Sequence, residues 1–253
     1  MASFDTIPHE PLLARVKTKV ADGRILSLLA AFLKQGVLDE MKEGTPEEGT
    51  PQGGVISPLL SNLYRDPLDH EMARAGIERV RYADDFVILC RTAEEARKAL
   101  EQVPAWAATA QLVRHPVKTR IVDATQPGGF DFLGYHFERG RRWPRRRSLR
   151  KFQDTIRART RRTSGWSLPA LIEAINLTLV GWFEYFKHSH PYTFTALDKW
   201  VGMRLRSILR RRARRPGRET GREHREWPNA FFAEHGLFSL ATASALARQS
   251  SRR

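Results

Sequence analysis

The chain has 253 residues, of which 41% are hydrophobic, so it can fold into one large or two modest domains with apolar cores. Its formal net charge is +15, but residues 1–137 carry 16 Lys+Arg against 19 Asp+Glu, whereas residues 138–253 carry 27 against 9. So dense a positive half indicates contact with a nucleic-acid backbone rather than a generally charged surface. A membrane-surface protein is disfavoured, because no amphipathic helix stands alone and no lipidation signal is present.

The cysteine content and the hydropathy exclude several further classes of protein. A single cysteine, Cys90, excludes a disulfide within the chain and a cysteine-based zinc site. The N-terminus does not resemble a signal peptide, and no apolar run approaches the ~18 residues of a membrane span. We therefore expect a cytoplasmic, bacterial protein that does not contact membranes.

The first predicted elements are helical. Apolar residues recur every three or four positions over residues 9–35, with a break at Asp22-Gly23 that divides two helices. A Gly-, Thr- and Pro-rich loop follows over 44–54. Ser57 and Pro58 then favour a helix start that continues to about Ala75 before Gly76 ends it.

An acid pair follows in the stretch Arg79–Cys90, RVRYADDFVILC. Asp84 and Asp85 separate a short alternating apolar segment from a continuous one, which predicts two strands joined by a turn. Adjacent carboxylates need cations or full solvation. The pair is therefore either a solvated turn, where Asp is common, or a Mg²⁺ site that serves a nucleic-acid 3′ end.

Beyond the acid pair, residues 92–95 form a capping box before a helix that we expect to bend or end near Pro104. The pattern predicts a strand over 112–122 and a strand or hairpin over 130–137. No internal repeat is visible in the chain.

The basic half begins with a change of composition over residues 140–162. Apolar residues at helical spacing predict three helices, within 140–162, 168–186 and 194–212, that form a small bundle. Most aromatic residues here are expected in its core. On the third helix the arginines expected to point outward are Arg204, Arg206, Arg210, Arg211 and Arg212. The Pro- and Gly-interrupted basic run 210–225 is expected to be a loop or arm.

Several motifs together carry a family resemblance. They are GTPQGGVISPLLSNLY at 49–64, YADD at 82–85, HPVKT at 115–119, FDFLGYHF at 130–137 and GWFEYF at 181–186, with WPNAFF at 227–232. In this order and spacing, they resemble a group II intron-encoded reverse transcriptase/maturase over nearly the whole chain. The PQGG and YADD pair is specific to reverse transcriptases, and the GWFEYF block separates the intron-maturase type from others.

The resemblance implies a role for the acid pair and for residues near it. Asp84 and Asp85 would be the catalytic, metal-binding carboxylates of a two-metal Mg²⁺ site. Residues expected to contact nucleotide or template are Phe4, Gln52, Gly53, Gly54, Tyr82 and Lys118. Phe4 is alternatively a core aromatic, the Gln-Gly-Gly segment a plain turn, and Lys118 a solvated charge.

The resemblance also assigns residues that contact nucleic acid elsewhere. The expected primer grip comprises Phe132, Leu133, Gly134 and Tyr135. From charge and helical position, the expected RNA-binding residues are Arg145, Arg146, Arg147, Arg150, Lys151, Arg157, Arg204, Arg210, Arg211 and Arg212.

The chain's ends affect the expected activity. In the family the first metal-binding Asp lies five residues before the position of Phe4, so we expect that Asp and the fingers region to be absent. Asp5 is not expected to replace it, because six residues of extended chain span roughly 20 Å. No Cys-rich endonuclease module follows residue 232, so second-strand DNA cleavage is not expected.

Together with the family resemblance, these patterns predict an α+β protein. A partial reverse-transcriptase palm, an antiparallel sheet with flanking helices, would occupy 1–138. An all-α thumb/maturase bundle, domain X of the family, would occupy 139–213, and a basic arm with a short C-terminal segment would occupy 214–253.

The function that the resemblance implies is that of a mobile-element enzyme, an RNA-directed DNA polymerase that also binds and splices intron RNA. Its expected partners are group II intron RNA, an RNA template with DNA primer, and deoxynucleoside triphosphates. The alternative is an RNA-binding maturase or truncated relic without polymerase activity.

Overall fold

The structure, a computed structural model, describes residues 7–34, 49, 54–83, 85–109, 119–215 and 221–250. The chain divides into two compact units, Met1–Asp123 and Ala124–Arg253. Each combines helices with a small antiparallel sheet, which confirms the α+β class. The division falls before the 130–137 hairpin, whereas the sequence placed that hairpin with the first domain.

Three helices build the main core of the first unit: α1 (His9–Lys17), α2 (Gly23–Lys34) and α3 (Ser57–Arg74). The predicted break between α1 and α2 is confirmed, and Asp22 explains it, because its carboxylate accepts a hydrogen bond from the Arg24 backbone N–H at 2.7 Å. The buried residues of this core are Ile7, Leu12, Val16, Leu29, Leu33, Leu60 and Tyr64.

A hairpin of β1 (Glu78–Tyr82) and β2 (Asp85–Leu89) follows, and then α4 (Ala93–Thr109). One half of the predicted capping box is present, since the Glu95 N–H donates to Thr92 Oγ1 at 3.1 Å, but the Glu95 carboxylate accepts from the Arg91 N–H, one residue before the cap. Pro104 lies inside α4 and does not end it. Of the strand predicted over 112–122, residues 119–122 are not in a strand and the rest lie outside the described residues.

The second unit opens with a three-stranded antiparallel sheet, β3 (Phe130–Phe132), β4 (Tyr135–Glu138) and β5 (Arg141–Pro144), in that order. The predicted hairpin over 130–137 is confirmed as β3 and β4. Strand β5 was not predicted, because its sequence, RRWP, has no period-2 alternation and begins the basic stretch.

Three long helices follow as predicted: α5 (Arg146–Arg159), α6 (Leu168–Phe186) and α7 (Tyr192–Arg212). Three shorter ones follow among the described residues: α8 (Gly221–Glu226), α9 (Asn229–Glu234) and α10 (Leu240–Ser250). Phe232 and Leu240 are fully buried in the same core as α5, α6 and α7. Residues 221–250 are therefore part of the folded unit, and α8 overlaps a run, 210–225, for which a loop or arm was expected. These helices are too short for the spacing of their apolar residues to show a helical period.

The start of α10 is held by a carboxylate from α7. Asp198 accepts hydrogen bonds from the backbone N–H groups of Leu240 and Ala241, both at 3.0 Å, and from Ser239 Oγ at 2.9 Å. These satisfy donors that a helix N-terminus otherwise leaves unpaired. Burial nevertheless raises the pKa of Asp198 above its ordinary value, although the three hydrogen bonds oppose that shift.

Within the described ranges, no helix combines the length and the apolar character needed to cross a bilayer.

Candidate catalytic hairpin and nucleic-acid interface

The acid-bearing turn is the tip of the β1–β2 hairpin. Tyr82 pairs with Asp85 as the last pair of the ladder, and Ala83 has φ 54°, in the left-handed region. Asp85 is exposed and, within the described part of the chain, its carboxylate has no hydrogen bond or ion pair. Asp84 lies outside the described residues. The hairpin thus presents Asp85 to solvent at a tight turn.

Arg81 ties this tip to α3. Its guanidinium donates to both carboxylate oxygens of Asp69, with Nε at 2.9 and 3.0 Å. Its Nη1 donates to the carbonyl oxygen of Ala83 at 3.0 Å and to Asn62 Oδ1 at 3.0 Å. Charge-assisted, bidentate bonds of this kind are among the stronger ones in proteins. One side chain therefore fixes both the turn backbone and the helix beneath it.

A second arginine completes the network, since Arg79 Nη1 lies 2.9 Å from Asp69 Oδ1. The side chains of Arg79, Arg81 and Asp69 are only 14%, 15% and 21% exposed. Sequence analysis did not identify this cluster. A signal was available: strand alternation places Arg79 and Arg81 on one face, the face that carries Phe86 and Ile88, and charges on a buried face need partners.

The opposite face of the hairpin is open. Tyr82 is 67% exposed there beside its partner Asp85, and Val80 and Leu89 are also exposed. Tyr82, a predicted nucleotide contact, is therefore placed next to Asp85. Gly54 lies just before α3, where its carbonyl accepts from the Ser57 N–H at 3.1 Å. Phe4, Gln52, Gly53 and Lys118 lie outside the described residues.

The chemistry of this tip fits a divalent cation in part. Asp85 offers an exposed carboxylate without a competing partner in the described residues, and carboxylate oxygen is the ligand that Mg²⁺ prefers. Among those residues, no three carboxylate, imidazole or thiol groups converge on one point.

The predicted primer-grip residues lie at the turn between β3 and β4. Leu133 and Gly134 form this turn with φ of 48° and 78°, both left-handed. The Gly134 carbonyl accepts from the Arg145 N–H at 2.9 Å and from Ser148 Oγ at 3.2 Å. The turn is therefore fixed against the start of α5.

Two tyrosines bind the same turn to α6. Tyr135 Oη donates to the Tyr185 carbonyl at 2.5 Å, and Tyr185 Oη donates to the Leu133 carbonyl at 2.8 Å. The ring of Tyr135 also lies 5.0 Å from that of Phe186. Burial raises the pKa of Tyr135, so its hydroxyl stays protonated and able to donate. The FDFLGYHF and GWFEYF motifs thus form one contact region.

Helix α5 carries an exposed basic face. The exposed cations predicted to bind RNA are Arg146, Arg147, Arg150, Lys151 and Arg157. A shallow depression on this face is lined by Arg147, Arg150 and Lys151, with Asp154 and Thr155. Arg157 is partly engaged, since it bonds Asp154 at 2.7 Å and lies 5.5 Å above the Trp200 ring. Arg145, by contrast, is only half-exposed.

Some of the arginines of α7 that were predicted to point outward are buried in the structure. Arg211 and Arg212 are exposed, but Arg206 and Arg210 are 2% and 4% exposed, so the expectation that these two point outward is wrong. Arg206 donates to Asn229 Oδ1 at 3.1 Å and to the Trp227 carbonyl at 3.2 Å, which joins α7 to α9. Charge alone does not distinguish such buried partners from surface cations.

Arg204 is half-buried and donates to Thr160 Oγ1 at 3.0 Å and to the Thr160 carbonyl at 2.7 Å. Its guanidinium therefore caps the end of α5, which is a structural use of a residue predicted to bind RNA.

Two family models match the chain, one in each half. The family model "Reverse transcriptase (RNA-dependent DNA polymerase)" matches residues 1–137, and the model "Group II intron, maturase-specific domain" matches residues 149–227. Protein YkfC of Escherichia coli (strain K12) is 31% identical over 54% of this chain and 45% of its own length.

Two further relatives match shorter parts. The group II intron-encoded protein LtrA of Lactococcus lactis subsp. cremoris is 41% identical over 26% of this chain and 11% of its own length. Nuclear intron maturase 4, mitochondrial, of Arabidopsis thaliana is 36% identical over 29% and 9%. The chain therefore spans less than half the length of these curated relatives.

The first family model, which covers more than half of the chain, shows that the chain belongs to the reverse transcriptase family. With the maturase-specific domain in its second half, the chain belongs to the group II intron-encoded reverse transcriptase/maturase family.

Proposed function

We propose that this chain binds group II intron RNA to support its splicing and takes part in RNA-directed DNA synthesis. The observation that carries the proposal is the exposed basic face of α5, a helix that overlaps the start of the region matched by the maturase model. The second unit holds 27 Lys+Arg against 10 Asp+Glu. A surface of this charge binds phosphates and releases their counterions.

The basic face would take the RNA backbone through exposed cations. Arg147, Arg150 and Lys151 line one depression, and arginine's planar fork suits bidentate contact with phosphate oxygens. Arg146, at the start of α5, and Arg211, near the end of α7, are also exposed and would add further phosphate contacts. By contrast, Arg204 and Arg206 would act by holding the helices that present these cations, and Arg210 is too deeply buried to reach RNA.

The hairpin would supply the polymerase chemistry. Asp84 and Asp85 would hold Mg²⁺, which when bound activates the primer 3′-hydroxyl and stabilises charge on the phosphate. The Asp69–Arg81 network would keep the turn in place, while Tyr82 and Gly54 would contact nucleotide or template. Phe4, Gln52, Gly53 and Lys118 are proposed for the same task.

We further propose a palm over 1–138, a thumb/maturase domain over 139–213 and a C-terminal segment over 214–253. The template with its primer and the deoxynucleoside triphosphates would be the partners of the first, and intron RNA that of the second. The primer grip, Phe132–Tyr135, would then act from the compact unit that also binds RNA.

RNA binding is tested by fluorescence anisotropy of the full chain with labelled single-stranded RNA of about 16 nucleotides. The test variant replaces four cations of α5 by Gln: Arg146, Arg147, Arg150 and Lys151. The control replaces four exposed cations of the first unit: Lys17, Lys19, Arg24 and Lys34. Both variants lose the same charge.

We expect the α5 variant to weaken binding and to reduce the slope of log K against log salt by about 3, at roughly 0.7 for each phosphate that the protein no longer neutralises. The control should leave that slope nearly unchanged. Equal losses of affinity in both variants would mean that net charge, not this face, attracts the RNA, and the proposal would fail.

A second candidate function is RNA binding without polymerisation. It is favoured by the position of the cations, since the basic face lies in a different compact unit from Asp85. Primer extension on poly(rA)·oligo(dT) with Mg²⁺ separates the two. DNA synthesis by the wild type that is lost in Asp85→Asn would support the polymerase function. RNA binding without any synthesis supports the second candidate.

A further inference from the structure

Trp166 lies in the loop between α5 and α6 and is 55% exposed. The other tryptophans whose side chains are described are all partly buried: Trp143, Trp182, Trp200 and Trp227. Leaving so large an apolar ring in water forfeits stabilisation that burial would provide. Its exposure therefore calls for an explanation.

The loop that carries Trp166 is held in place by an arginine at the end of α7. Arg212 donates to the Trp166 carbonyl, and its Nη2 lies 3.4 Å from the Ser164 carbonyl oxygen. The Trp166 N–H donates to Ser164 Oγ at 3.3 Å. These hydrogen bonds fix the backbone while leaving the indole in solvent.

Both ends of the loop are also anchored. At its start, Thr160 is buried and accepts two hydrogen bonds from Arg204. At its end, Ser167 Oγ accepts from the Ala170 N–H at 3.4 Å and caps α6. The exposed indole is thus presented by an ordered loop, so little entropy is lost when a ligand covers it.

The surroundings of Trp166 are cationic. Arg161 and Arg162 lie in the same loop and are exposed, and in the described part of the chain neither forms an ion pair. Residues 160–167, TRRTSGWS, contain no acidic side chain. A protein-docking patch would surround the ring with further apolar side chains. An exposed aromatic ring in the same loop as two exposed arginines is instead the combination that binds single-stranded nucleic acid, where bases stack and phosphates pair.

We propose that Trp166 is a stacking platform for an unpaired nucleobase of RNA, and that Arg161 and Arg162 hold the adjacent phosphates. The inference rests on the proposed RNA-binding function and adds a specificity to it. The basic face of α5 attracts any RNA backbone. Trp166 favours strands with free base faces, because a duplex hides those faces in its own stacking.

The test measures binding of the full chain to two labelled RNAs, a single strand of about 16 nucleotides and a duplex of the same length. The variants are Trp166→Ala and Trp166→Phe. Tyr192→Ala is the matched control, because Tyr192 is 73% exposed but begins α7, whereas Arg212 ends it. The two ends of this helix are roughly 30 Å apart.

We expect Trp166→Ala to weaken single-strand binding about 5- to 150-fold, the range that one stacked base provides. Trp166→Phe should retain most of the affinity, since it keeps a stacking ring. Duplex binding should change less than about twofold, and the salt slope should stay that of the wild type, because no charge is removed. Quenching of tryptophan fluorescence by the single strand should be smaller in Trp166→Phe than in the wild type.

Three outcomes would overturn the inference. Wild-type affinity of Trp166→Ala for the single strand would exclude the platform while leaving the RNA-binding function intact. An equal loss of affinity for single strand and duplex would show that the ring contacts the backbone or supports the loop. Absence of RNA binding by the wild type would refute both proposals together.

Discussion

Tyr135 and Tyr185 each donate a phenolic hydrogen bond to the backbone of the other's segment, at 2.5 Å to the Tyr185 carbonyl and at 2.8 Å to the Leu133 carbonyl. Their rings lie 6.1 Å apart and nearly parallel. This reciprocal contact joins the β3–β4 turn to α6, two segments that the sequence separates by 50 positions.

The first prediction removes these hydrogen bonds. Tyr135→Phe and Tyr185→Phe should each lower the free energy of unfolding by about 0.5–1.5 kcal/mol, since each leaves a carbonyl without its donor. The double variant should lose less than the sum, because both bonds hold one turn. Urea denaturation measures the effect, with exposed Tyr192→Phe as the control expected to leave stability unchanged. Full additivity would contradict the proposed coupling.

The second prediction concerns the network under the acid-bearing turn. Asp69→Asn should destabilise the first unit by about 1–3 kcal/mol, because two partly buried guanidinium groups lose their charged partner. Amide hydrogen exchange over residues 78–89 should become faster. The control is Asp66→Asn, where the carboxylate is 45% exposed and lies 3.5 Å from the imidazole of His70. Equal protection of the hairpin in both variants would refute a positioning role for Asp69.

The third prediction follows from the raised pKa of Asp198. A carboxyl whose pKa is higher in the folded than in the unfolded chain binds protons more tightly when folded. Its contribution to stability is therefore complete below the unfolded value, near 3.8, and is lost as pH rises through the raised folded pKa.

Asp198→Asn removes this titration. As pH rises through the folded pKa of Asp198, the free energy of unfolding of the wild type should therefore fall relative to that of the variant. Chemical denaturation at several pH values below neutrality measures it. A difference that does not change with pH would contradict the expectation.

The fourth prediction uses two glycines with positive φ. A Cβ on Gly129 would lie 2.0 Å from the Phe137 carbonyl oxygen, whereas one on Gly140 would meet nothing within 4 Å. Gly140→Ala should cost only about 1 kcal/mol for its left-handed backbone. Gly129→Ala should cost markedly more, because backbone must move. Thermal unfolding compares the two, and similar losses of stability would mean that this part of the sheet is easily displaced.

The sequence predicted the elements whose pattern is local. The helices α1, α2 and α3, the β1–β2 turn and the β3–β4 hairpin follow from apolar spacing and capping residues. What it could not supply is pairing across the chain. The sequence pattern does not distinguish Arg206 and Arg210 from their exposed neighbours, because their burial depends on how α7 packs. The alternation of β1 indicates that Arg79 and Arg81 need partners, but it does not identify Asp69 on α3 as that partner.

The β3–β4 hairpin carries a practical consequence for building chimaeras. Because Leu133 and Tyr135 are matched to Tyr185 of the same chain, a graft joined at residue 138 would pair this turn with a foreign helix. A crossover at residue 123 or 124 instead transfers the β3–β4 turn together with the helix α6 that it contacts. Evolutionary exchange of halves between relatives would face the same constraint on where recombination can fall.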